Sequence, residues 1–147
     1  MPLVLDDTGN DLTYRIIGAA MAVHNEIGPG FKEEVYEKAL QIKLNQVGVG
    51  VERQFHIPVM FQGEQVALFY LDLFVEDQVV VELKAFSHQL TNDELAQVIN
   101  YLKASDAPVG LLFNFGRRKL EFRRVFLNRD DKPVQRIGRD DVLKAER

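Results

Sequence analysis

Cysteine is absent from the 147-residue chain, which excludes disulfides, thiolate zinc sites, iron–sulfur clusters and a cysteine nucleophile. No run of 18 apolar residues occurs, and the N-terminal stretch MPLVLDDTGND has no basic region followed by an apolar one. Neither a membrane span nor a secretory leader is therefore expected, and a cytoplasmic protein with no membrane partner is the default. Internal repeats and low-complexity segments are missing as well. Basic residues are the minority charge, 18 Lys and Arg against 22 Asp and Glu for a net charge of −4. That balance argues against a protein that coats nucleic acid by bulk electrostatics. With 46% hydrophobic and 27% charged residues, the composition predicts one domain over 1–147, its core spanning about 11–127 and a charged tail following from 128 to 147.

The basic charge that is present is clustered. Arg117, Arg118, Lys119, Arg123, Arg124, Arg129, Lys132, Arg136 and Arg139 stand against Glu121, Asp130 and Asp131, a local surplus of six that leaves −10 for the remainder. Such a strip can bind phosphates, or it can be a solvated C-terminal face.

The most informative stretch is Tyr70 to Lys84, YLDLFVEDQVVVELK. Strand-like residues flank the polar break Glu76-Asp77-Gln78, which predicts a β-hairpin. If the loop centres on Asp77, Asp72 faces Glu82 and Tyr70 faces Lys84. Side chains alternate along a strand and opposed pairs share a face, so Asp72, Glu82 and Lys84 would project to one side, with Leu71, Leu73, Val79, Val81 and Leu83 on the other. Two like charges that close repel unless a cation lies between them or one takes up a proton. A hard divalent metal resolves the conflict; an exposed strand with an ordinary Glu–Lys pair is the plain alternative. The run VVVEL reads as buried on both faces, which makes uncompensated charge there expensive.

In chain order, residues 11–27 read as a helix with Ile16, Ala19, Ala20, Val23 and Ile27 at helical spacing, stopped by Gly28-Pro29-Gly30. His24 lies near its end without a second histidine or cysteine at ligand spacing, and reads as structural. A second helix is predicted from Phe31 to Val47, with Val35, Ala39 and Ile42 in its core stripe and Gly48 as its stop. Glu33 and Tyr36 share a face of that helix, and Glu33 alone reads as a helix-start acid favoured by the dipole. Val51 to Phe61 is a strand whose Pro58 marks an edge or bulge, and Gln65 to Val75 leads into the hairpin. Thr91-Asn92-Asp93-Glu94 is a capping box opening a third helix, with Leu95, Val98, Ile99 and Leu102 as its apolar stripe and Gln97 above Tyr101 on another face. Val109 to Phe115 is a buried strand, parallel to the Val79–Lys84 strand through a right-handed crossover. Leu120 to Leu127 is a further strand with Arg123 and Arg124 on opposite faces, and a short helix is expected in 140–145.

This order, a helix with Glu, a strand, a strand with Asp, a strand with Glu-x-Lys and a helix with Gln, resembles the PD-(D/E)XK nuclease superfamily. The motif Gly30-Phe31-Lys32-Glu33-Glu34-Val35-Tyr36, the lead-in Val23-His24-Asn25-Glu26-Ile27-Gly28-Pro29, Leu71-Asp72, Val80-Val81-Glu82-Leu83-Lys84-Ala85, Gln97 with Tyr101-Leu102, and Leu112-Phe113-Asn114-Phe115-Gly116 resemble the GxxExxY family within it. The likeness covers roughly 15–125. The superfamily's proline is missing, Leu71 standing before Asp72, which removes no catalytic group.

The resemblance implies an α/β fold with a restriction-endonuclease-like core: a central mixed sheet of four to five strands flanked by helices in αβββαβ order. It implies a metal-dependent nuclease acting on nucleic acid, DNA being expected, with Mg²⁺ or Mn²⁺ held by Asp72, Glu82, Glu33 and the Leu83 carbonyl. Lys84 would orient the attacking water and Gln97 would support the site. Tyr36, Tyr101, Arg117, Arg118 and Lys119 are assigned to nucleic-acid contact. Hydrolysis of an anionic phosphodiester needs a cation, carboxylate oxygens suit Mg²⁺ or Mn²⁺, and a lysine two residues from a ligand glutamate reaches the same phosphate. Two alternatives stand beside this reading: an inactive nuclease-like binding or accessory module, and a metal-dependent hydrolase of a small phosphorylated substrate. A homodimer would supply the two sites that double-strand cleavage needs.

Overall fold

In the computed structural model the described residues are 4–5 and 11–127; the helix expected in 140–145 and the basic residues from 129 onward lie outside them. The elements run α1 (Leu12–Ile27), α2 (Glu33–Gln46), β1 (Val51–Phe61), β2 (Glu64–Val75), β3 (Val79–Lys84), α3 (Asn92–Ser105), β4 (Val109–Asn114) and β5 (Glu121–Phe126). The strands form one mixed sheet in the order β1-β2-β3-β4-β5. β3 and β4 are parallel and the other neighbours antiparallel. This is the expected sheet flanked by helices: the run α2-β1-β2-β3-α3-β4 is the αβββαβ core, with α1 ahead of it and β5 behind.

Local chemistry sets the boundaries. The Asp11 side chain caps α1 by accepting from the Thr13 amide at 3.1 Å, and Gly28, at φ 75°, ends the helix. Thr91 and Glu94 form the capping box of α3 as predicted. β3 is buried on both faces, because α1 and α2 cover one side of the sheet and α3 the other. Pro58 lies in the edge strand β1, whose register shifts between Val59 and Met60.

Helix α2 is turned relative to the sequence reading. Val35 and Ile42 are exposed, whereas Tyr36, Leu40 and Leu44 are fully buried, with Ala39 only packing against the core. The apolar spacing fits either stripe. The Tyr36 ring decides, stacking on Phe115 at 4.7 Å between centroids, while its hydroxyl donates to the Gly28 carbonyl at 2.7 Å and accepts from the Phe31 amide at 3.1 Å.

Two irregularities place the site. Hairpin β2–β3 has the register centred on Asp77, with Val75↔Val79, Phe74↔Val80 and Leu73↔Val81, but the ladder stops there. Asp72 and Glu82 therefore do not form a ladder pair, and Tyr70 pairs with His56 of β1 rather than with Lys84. Strands β1 and β2 also change face at the same level. Gln54 adopts a left-handed φ of 51°, and the consecutive side chains of Arg53 and Gln54 both reach Glu37 on α2. Leu71 packs on the α3 side and Leu73 on the α1–α2 side, although regular alternation would put both on one face. The expectation that Leu71 shares a face with Leu73 is corrected accordingly.

Candidate active site

Where the β2–β3 ladder ends, carboxylates take over the backbone hydrogen bonds. The Leu83 amide donates to Asp72 Oδ2 at 2.9 Å, and the Asp72 amide donates to Glu82 Oε1 at 3.1 Å. Asp72 and Glu82 are thus locked across the splayed strands at the carboxyl end of β3, beside the parallel strand β4. Crevices at such strand ends are where open α/β sheets bind ligands.

The electrostatics of the pair are unfavourable as it stands. Burial is the first cause that raises Glu82, which is 3% exposed, well above the usual carboxylate range, and the charge of Asp72 adds to it. Asp72 is pushed up to about 6 by burial, then by Glu37 and Glu33, against the lowering effect of the Leu83 amide and of Lys84. Both carboxyls keep one oxygen without a protein partner among the described residues, Asp72 Oδ1 and Glu82 Oε2. A buried and a half-buried carboxylate, Glu82 and Asp72, with spare oxygens and too little countercharge are a donor set that fits a hard divalent cation.

Lys84 ends β3 and lowers the pKa of both acids, so its ammonium is close enough to feel them. Glu33 begins α2 and raises both. It lines an open cleft with Gly30, Phe31, Lys32, Glu34 and Ala85, the residue after Lys84. Glu33 does not close onto the pair: among the described residues no three acidic or histidine side chains converge to hold a metal ion. Gln97 Nε2 donates to the Tyr101 hydroxyl at 2.9 Å rather than to either carboxylate.

The two tyrosines expected at a nucleic-acid surface are not there. Tyr36 is fully buried with its hydroxyl committed; in the Gly30-Glu33-Tyr36 motif it pins the chain entering α2. Tyr101, 9% exposed, packs on Phe69 at 5.1 Å. Its pKa is pushed up to about 12 by burial and then by Glu82 and Asp72, so it stands behind the acid pair and not at the surface. The loop carrying Arg117, Arg118 and Lys119 is exposed, and Gly116 abuts the backbone of Ala85 and Phe86, which brings the loop to the same sheet end as Lys84. Arg117 is shared with Glu121 at 3.5 Å, and its carbonyl accepts from His24 Nε2 at 2.8 Å. The histidine is structural, as read from the sequence.

Glu37 was not legible as a site residue. It is 5% exposed, accepts from Arg53 Nε at 3.0 Å and from Gln54 Nε2 at 3.0 Å, and acts on Asp72 more strongly than Glu33 does. Its spacing of one helical turn from Glu33 was the available signal. Asn114, fully buried, accepts from the Phe86 and Gly116 amides and donates to the His88 carbonyl and Glu121. It thereby fixes the segment that follows Lys84.

A family model described as the PD-(D/E)XK nuclease superfamily matches residues 10–125 of the chain. No curated protein and no solved structure matches it.

Proposed function

Since the chain belongs to the PD-(D/E)XK nuclease superfamily, we propose that it hydrolyses phosphodiester bonds of nucleic acid, with DNA as substrate, using Mg²⁺ or Mn²⁺. The observation that carries this reading is the pair of half-buried Asp72 and buried Glu82, which Lys84 alone does not offset and which keeps two carboxylate oxygens unused. Asp72 and Glu82 would hold the cation, and Mg²⁺ needs no more than one or two carboxylates when substrate and water supply the rest. The Leu83 carbonyl is a reasonable third donor. Within a strand residue the N–H and C=O point the same way, and the Leu83 N–H is directed at Asp72. Glu33, across the cleft, would act on the ion's outer waters. When bound, the ion supplies charge neutralisation at the phosphate and a more acidic water.

The remaining work belongs to the protein's own side chains. Lys84, two residues from Glu82 and close enough to lower the pKa of both acids, would orient the attacking water and face the non-bridging phosphate oxygens. Gln97 holds the hydroxyl of Tyr101, the α3 side chain that feels both acids, and would support the site through it. Arg118 and Lys119 are available to flanking phosphates. We assign the chain to the GxxExxY group on Gly30, Glu33 and Tyr36.

Cleavage of single- and double-stranded DNA by the wild type and by Glu82→Ala, with Mg²⁺, Mn²⁺ or EDTA, tests the proposal, alongside calorimetric metal titration. The expected result is metal-dependent cutting that Glu82→Ala abolishes. Metal binding lost in Glu82→Ala with no cutting by the wild type would turn the assignment to a binding module or to a hydrolase of a small substrate.

A further inference from the structure

The outer half of hairpin β1–β2 projects past β3, whose ladder with β2 ends at Leu73↔Val81. On this two-stranded ribbon Phe55, Ile57, Phe69 and Leu71 pack on the α3 side. By alternation the intervening His56 and Tyr70 point to the opposite side, the side on which Arg53, Gln54 and Glu37 meet. His56 and Tyr70 are ladder partners with ring centroids 4.6 Å apart in an edge-to-face arrangement. Tyr70 is 49% exposed, unlike the two tyrosines buried around the site. Asp72 lies two residues along β2, where the strand changes face between Leu71 and Leu73, and it feels the charge of Glu37 on this side.

Arg53 adds the second kind of contact. Its Nε is fixed by the buried Glu37 carboxylate at 3.0 Å, its side chain is 27% exposed, and its two terminal nitrogens make no hydrogen bond or ion pair among the described residues, although Glu34 feels its charge. A guanidinium held from behind with its fork open presents the geometry that binds phosphate oxygens. Its position depends on the left-handed Gln54, which turns Arg53 and Gln54 to the same side.

We propose that this ribbon face is the substrate track of the site and that it takes single-stranded nucleic acid: Tyr70, braced by His56, stacks on an unpaired base next to the scissile linkage, and Arg53 holds a neighbouring phosphate. A track made of an open aromatic face and one forked cation matches what a single strand offers. The bases of a duplex are stacked on each other and closed to such a ring. The inference rests on the nuclease reading for the role of Asp72 and names the strandedness of its substrate.

The test is fluorescence anisotropy with a labelled oligothymidylate and with a blunt duplex of equal length, in EDTA, for the wild type, Tyr70→Ala, Tyr70→Phe and Arg53→Ala. Cleavage of both substrates with Mn²⁺ and sedimentation of each protein run in parallel. The expected result is tighter binding of the single strand, a loss of about tenfold in Tyr70→Ala, and retention in Tyr70→Phe. Arg53→Ala should weaken binding and make the log–log salt slope shallower by about one. Single strand bound through Tyr70 with no cleavage would uphold the track and sink the nuclease reading. Duplex cut as well as single strand, with Tyr70→Ala unchanged in KM, would sink the track and leave that reading intact. A concentration-dependent dimer abolished by Tyr70→Ala, with oligonucleotide binding unaffected, would also overturn it by making this face a contact between copies.

Discussion

Replacing Asp72 by Asn in the metal-free protein should stabilise the fold at neutral pH. Asp72 is held at about 6 against an ordinary 3.8, burial being the first cause and the charges of Glu37 and Glu33 the next. A carboxyl with a raised folded pKa binds its proton more tightly in the native state. Stability from this group therefore falls as pH rises from 3.8 through about 6, and the full penalty is present above that. The gap corresponds to about 3 kcal/mol, and because Asp72 is only partly screened from water a gain of about 1–3 kcal/mol is expected. In a chain of this size that raises Tm by roughly 3–10 °C. Asn can still accept the Leu83 amide through its oxygen, so the hydrogen bond at 2.9 Å survives. Calorimetric melts in EDTA at pH 8 and pH 4 read the effect: a gain at pH 8 that vanishes at pH 4. Excess Mg²⁺ should raise the wild-type Tm and leave Asp72→Asn unmoved, since an ion bound only to the native state stabilises it by mass action. Equal melting temperatures at pH 8 in EDTA, or the same gain at both pH values, would refute the view that the pair lacks countercharge. Glu82→Gln added to Asp72→Asn should give less than the sum of the two single gains, because the first neutralisation relieves the repulsion felt by the second group.

Lys84→Ala should cut the cleavage rate by on the order of 10²-fold while calorimetry still detects the metal, which separates a role toward water and phosphate from a role as ligand. Tyr36→Phe keeps the stack on Phe115 but removes both hydroxyl bonds. It should cost about 1–3 kcal/mol in urea unfolding with oligonucleotide affinity unchanged, and a loss of affinity at full stability would restore Tyr36 to the binding surface. Asn114→Ala removes the partner of two amides and a carbonyl at a fully buried position; a loss of about 2–4 kcal/mol in the same melts is expected.

The architecture was legible because its signals are local. The capping box at Thr91, the stop at Gly28-Pro29-Gly30 and the apolar run of β3 each depend on a few adjacent residues, and the register centred on Asp77 follows from where the polar break falls. The orientation of α2 was not, because Val35-Ala39-Ile42 and Tyr36-Leu40-Leu44 both satisfy a helical period. Only the distant Phe115 and the Gly28 carbonyl choose between them. The tyrosines were misjudged for the same reason. An aromatic with a hydroxyl suits a binding surface or a core with a polar neighbour, and what decides is the ring it packs on far away in sequence, Phe115 for Tyr36 and Phe69 for Tyr101.

The acid pair shows where periodic reasoning ends. Strict alternation put Asp72 and Glu82 on one face of an unbroken ladder, which requires β2 and β3 to stay paired. The pairing stops one residue earlier, and the amides released there are the ones the two carboxylates accept. At the same level Gln54 leaves the β region and Arg53 and Gln54 turn together toward Glu37. A left-handed glutamine inside a strand is sterically costly. Here that conformation sends both side chains to a buried glutamate that acts on Asp72. The break in strand geometry and the charge arrangement around Asp72 are thus one feature. Substituting Gln54 by glycine, which adopts that φ without strain but cannot reach Glu37, would separate the backbone contribution from the side-chain one. With the backbone kept and the amide lost, Glu37 retains Arg53 and the Asp72 pKa followed by NMR should stay raised, because the amide carries no charge; a fall toward the ordinary value would show that the Gln54 side chain is what holds Glu37 against Asp72.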